Sequence, residues 1–128
     1  MKLVTYEIEQ KVKLGALSSD EKWIYPLSSM GIDYRCMQEL IENISESELQ
    51  LAQHYCGQEV GRIRGAAPVE EVKLLAPIPN PRQDVICLGV NYMAHAEESA
   101  RFKKEEFNGE RPYAIYFSKR VNRASATG

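Results

Sequence analysis

The chain has two histidines, and one of them, His95, stands three residues before a glutamate, Glu98. On a helix that spacing puts both side chains on one face, within reach of a hydrogen bond. A carboxylate that orients an imidazole fixes its tautomer and raises its basicity. A general base that takes a proton from water needs both properties. Glu97 is two residues from His95 and faces another way, so it is the weaker partner. Asn91 and Tyr92 follow Gly89 at the end of an apolar run, where binding residues commonly gather. The same stretch also suits a solvated, charged helix face, as do Lys103, Lys104, Glu105 and Glu106. His54, beside Gln53 in a polar segment, reads as helix surface.

These residues need strands and helices to hold them. Residues 2–8, KLVTYEI, alternate apolar and polar and predict a half-buried strand. Residues 12–17 and 22–27 predict two more, with Ser-Ser-Asp-Glu supplying turn chemistry between them. Asp33 is placed to cap a helix in which Met37, Leu40, Ile41 and Ile44 share a face. Ser45 or Ser47 is placed to cap a second, with Leu49, Leu51, Ala52 and Tyr55 as its buried positions. The alternating prolines Pro77, Pro79 and Pro81 mark a rigid connector. DVICLG then predicts a buried strand with Cys87 in a core, and PYAIYFSK, residues 112–119, another. The segment between them has helical composition.

At 128 residues, with 44% hydrophobic and 27% charged residues, the chain has globular values and room for one ordinary domain or a small one plus part of another. A net charge of −2 and no basic stripe beyond Lys119, Arg120 and Arg123 point away from nucleic acid and anionic membranes. Cys36, Cys56 and Cys87 are an odd count without metal-site spacing, which predicts reduced, partly buried thiols. No apolar run approaches membrane-spanning length and no signal-peptide pattern opens the chain, so a cytoplasmic protein is expected.

The run LLAPIPNPRQDVICLGVNYMAHAEES, followed by PYAIYFSK, resembles the fumarylacetoacetate hydrolase family. Pro77, Pro79, Pro81, Gly89, Asn91, Tyr92, His95, Glu98, Phe117 and Lys119 carry the resemblance. It implies an α+β chain. Residues 1–73 would be a small N-terminal domain of antiparallel strands and two helices. Residues 74–128 would be the opening strands and lid helix of an incomplete mixed β-roll. It implies an enzyme acting on carbon–carbon bonds of acylpyruvates and diketo acids, or a related decarboxylase, hydratase or isomerase. His95 would be the base and Glu98 its partner, with Asn91, Tyr92 and Lys119 on the substrate, a small oxo acid. A magnesium ion, or manganese or calcium, would be held by a Glu-x-Glu pair and an aspartate expected after Gly128. No residue here is assigned to the metal, and these 128 residues are expected to be inactive alone, with no metal bound. Arg120 stands where many members have proline. The competing expectation is a stand-alone, non-catalytic oligomerisation or interaction module. Either way, the unpaired edges of DVICLG and YAIYF predict a homodimer or higher oligomer.

Overall fold

The computed structural model describes residues 1–89 and 114–126. They form a mixed α+β structure with a curled antiparallel sheet and two helices, divided into two compact units. The first comprises Met1–Pro81 and Arg123–Gly128, and the second Arg82–Asn122.

In the first unit, β1 (Leu3–Ile8), β2 (Lys11–Leu17) and β3 (Trp23–Pro26) lie where the alternation places strands. Two short edge strands, β4 (Ala67–Pro68) and β5 (Lys73–Leu74), complete the order β4-β3-β2-β1-β5. Ile8 pairs with Lys11, so Glu9 and Gln10 alone make the first turn, and both take positive φ, 50° and 62°. A two-residue hairpin requires that mirror-image turn to match the strand twist. In the second turn the Ser18 hydroxyl donates to Asp20 and accepts the Trp23 N–H at 3.1 Å. The Ser18 hydroxyl first, and then the Lys22 N–H, hold the Asp20 carboxyl below its usual range.

Register sorts the sheet into two faces. Leu3, Thr5, Leu14, Ala16 and Tyr25 are cross-strand neighbours on one. There Leu14, Ala16 and Tyr25 join the main core with Leu27, Ile32 and Met37. Tyr6, Ile24 and Ala67 occupy the other face and are also buried. Gly15 makes this second face possible. A Cβ there would stand 2.5 Å from Ile24 Cγ2 and 3.0 Å from Tyr6 Cε1, so the two side chains close over a gap that only glycine leaves. Burial also pushes the Tyr6 phenol up.

The helices cover the first face. α2 (Glu46–Cys56) starts as its sequence predicts, with Ser45 and Glu48 in a reciprocal capping box. The Glu48 carboxylate accepts from the Ser45 N–H at 2.8 Å and hydroxyl at 2.7 Å, which holds it below the usual carboxylate range. At its other end the Cys56 carbonyl accepts from the N–H and hydroxyl of Ser19, and Tyr25 donates to Gln58 O. α1 (Met37–Asn43) corrects the expected start, because its cap is Cys36 rather than Asp33. Glu39 reaches back to the Arg35 N–H at 2.8 Å, and Met37 and Leu40 enter the core only from this later start. The short helix leaves Ile41 exposed, and in α2 Ala52 and Cys56 are buried while Leu51 is not. Burial raises the Cys56 thiol pKa, so this cysteine is a packing residue.

Replacing Gly15 by alanine forces β1 and β3 apart around Ile24 and Tyr6. The expected loss is about 2 kcal/mol, within the range for overpacked sites, read by urea unfolding. Unchanged stability would mean that the closure is loose. At the α2 cap, Ser45→Ala should cost about 1 kcal/mol at neutral pH. The Glu48 carboxyl has a lowered folded pKa, so its contribution is present above the unfolded value and disappears as pH falls through the folded one. Unfolding curves should therefore show wild type and Glu48→Gln converging in acid, below the ordinary carboxylate range.

Candidate functional site

The second unit carries the predicted chemistry. Its described part is a two-stranded antiparallel ribbon, β6 (Val85–Gly89) with β7 (Ile115–Lys119). Val85 pairs with Lys119, Cys87 with Phe117, and Gly89 with Ile115. Both runs are rich in β-branched and aromatic residues, which favour the extended backbone.

Alternation along the strands then fixes who shares a face. Val85, Cys87, Gly89, Ile115, Phe117 and Lys119 lie on one side, and Ile86, Leu88, Tyr116 and Ser118 on the other. Of the predicted site residues, only Lys119 is among those described. Asn91, Tyr92, His95 and Glu98 lie outside them. Lys119 is exposed, and its Nζ sits 5.8 Å from the centre of the Phe117 ring, a cation–π distance.

The ribbon brings Lys119 onto the same face as Gly89, the strand residue that leads towards Asn91. It does not bring the two together. Gly89 pairs with Ile115, four residues from Lys119, so they stand about 14 Å apart along the ribbon.

The expectation that these strands are buried is corrected. Ile86 is 76% and Tyr116 69% exposed, and Cys87 is half-buried rather than a core residue. Of the ten exposed large hydrophobic residues among those described, six belong to the ribbon. The physical reason is plain in the topology, since two strands alone have no layer to bury either face against.

Elsewhere, His54 is exposed, as its polar surroundings predict, and its ring meets Tyr55 edge-on. Among the described residues no group of three or more His, Cys, Asp or Glu side chains could hold a metal ion. Among them, no helix is long and apolar enough to cross a membrane. No protein-family model matches the chain, and no curated protein matches it.

Proposed function

We propose that the second unit supplies the base and substrate contacts of an enzyme of the fumarylacetoacetate hydrolase type, acting on carbon–carbon bonds of acylpyruvates or related diketo acids. The observation that supports this reading is the strand pair. The two runs flanking the His95 motif are paired, with Gly89 and Lys119 on one face. Their apolar character on both faces suits strands between two layers of a larger β-roll.

In this reading His95, oriented by Glu98, takes a proton from water, and the hydroxide adds to the carbonyl next to the bond that breaks. Lys119, with Asn91 and Tyr92, holds the carboxylate of the oxo acid. His95 is six residue steps from Gly89, an extended reach of at most roughly 20 Å, more than the distance from Gly89 to Lys119. Both side chains are thus able to meet one small substrate. A divalent ion, magnesium, manganese or calcium, would act in such an enzyme as the Lewis acid that stabilises the enolate left by bond cleavage. Among the described residues no group forms a site for it.

The test is the titration of His95 followed by nitrogen-15 NMR, with and without pyruvate. A partner carboxylate favours the imidazolium, so Glu98→Gln should lower the His95 pKa by about one unit. Pyruvate should shift the His95 and Lys119 signals saturably, and Lys119→Met should weaken that binding about tenfold. Identical His95 titration in both proteins would remove the base assignment.

The exposed ribbon also favours a second reading, an interaction module whose partner is another copy of the chain. In a homodimer the apolar ribbon is covered. Amides of β6 and β7 should then exchange rapidly in dilute solution and become protected as concentration rises from micromolar to millimolar. Rapid exchange at every concentration would rule the dimer out.

A further inference from the structure

A cleft of about 280 Å³ opens in the first unit between the Tyr34–Gln38 segment and the Leu75–Asn80 segment. Its floor is the sheet face at Thr5, Val12 and Leu14. Three hydrogen bonds shape it. The Leu75 N–H donates to Thr5 O at 2.9 Å, and the Thr5 hydroxyl donates to Pro77 O at 2.7 Å. The Ala124 N–H donates to Pro79 O at 2.7 Å, which brings its neighbour Arg123 to the rim. The proline run is therefore a wall as well as a connector.

The charge around the cleft is one-sided. Among the described residues that line it there is no aspartate or glutamate, although Glu7 pairs with Val12 beside the floor. Lys13 borders it, but strand alternation turns that side chain away from the face that carries Val12 and Leu14. The cations that count are Arg35 and Arg123. Arg35 is held by Glu39, with Nη2 3.0 Å from Oε1. Among the described residues Arg123 forms no ion pair, so its guanidinium is the rim charge open to an anion. Below it the walls are apolar, with Leu14, Met37, Leu75 and Ile78.

We propose that this cleft binds a small organic carboxylate, with its apolar body against Leu14, Met37 and Ile78 and its carboxylate on Arg123. A guanidinium fork matches a carboxylate in two parallel hydrogen bonds. The volume lies at the small end of ligand pockets, which selects a molecule of a few carbons. The apolar walls favour a ligand with a hydrocarbon body over hydrated inorganic phosphate. The site is independent of the chemistry proposed for His95 and lies within the first unit.

Hexanoate titrated into the full chain, followed by amide NMR, tests this. The signals of Thr5, Leu14 and Ile78 should move saturably, while hexanol, which lacks the charge, should leave them almost unmoved. Arg123→Gln should weaken hexanoate binding at least about tenfold, and Ile78→Glu, which puts an acid on the wall, should abolish it. Arg123 is exposed and forms no ion pair among the described residues, so its replacement should leave the fold intact, which unchanged β1–β2 amide signals will verify. Equal binding by Arg123→Gln would overturn the proposal. So would inorganic phosphate moving the same amides at equal or lower concentration.

Discussion

The missing side chain of Gly15 is the constraint on which the first unit is built. β2 is the central strand of the order β4-β3-β2-β1-β5, and on one face its Leu14 and Ala16 meet the helices. On the other face Tyr6 of β1 and Ile24 of β3 close over Gly15. A side chain in the middle strand would hold them apart. Both faces are thus buried, at the centre of a small sheet whose edges are strands of only two residues. Short edges offer little backbone for another chain to pair with. Thr5 extends the same logic outward. It is buried, and its carbonyl and hydroxyl bind the segment that follows β5.

The ribbon of the second unit obeys the opposite rule. Its strands are as apolar as those of the first sheet, yet the residues that should be interior are exposed on both sides. A strand's hydrophobicity records the layers it is selected to meet, and here those layers are not among the described residues. Among the described residues each strand also has one edge without a strand partner. Hydrophobic faces and open edges together make the ribbon an assembly surface under either functional reading, as part of a larger β-roll or as an interface between copies.

What the sequence makes legible follows from how local each determinant is. Alternation placed β1, β2 and β3 within a residue or two, because each has one face against a core of helices. Ser45 or Ser47 marks the start of α2 in the sequence, and the structure selects Ser45, whose capping box with Glu48 is written within four residues. The start of α1 was not legible from Asp33. It depends on Glu39 folding back to the Arg35 N–H and on where Met37 meets the core. β4 and β5 have two residues each and exist only because β3 and β1 present edges to them. Burial of β6 and β7 was misread for a related reason, since periodicity and composition report propensity, not the presence of a covering layer. Of the candidate site, the strands on either side of the motif were legible, and so was Lys119 on its strand. The cleft near Arg123 was not, because it joins residues from Thr5 to Arg123 across nearly the whole chain.

The antiparallel pairing of β6 with β7 bears directly on the proposed chemistry. It sets Gly89 beside Ile115 and leaves Lys119 at the far end, opposite Val85. A three-carbon oxo acid is shorter than the distance of about 14 Å between those ends. No ligand of that size can touch the strand end and Lys119 together through the ribbon alone. In the proposed reading, their cooperation would fall to the 24 residues between Gly89 and Ala114, which include His95 and Glu98. The ribbon therefore sets how far that segment would have to carry its base in the proposed reading. In that reading, insertions or deletions in the segment would disturb the pairing of base and lysine more than conservative changes within the strands, because the strands set only the ends of the span.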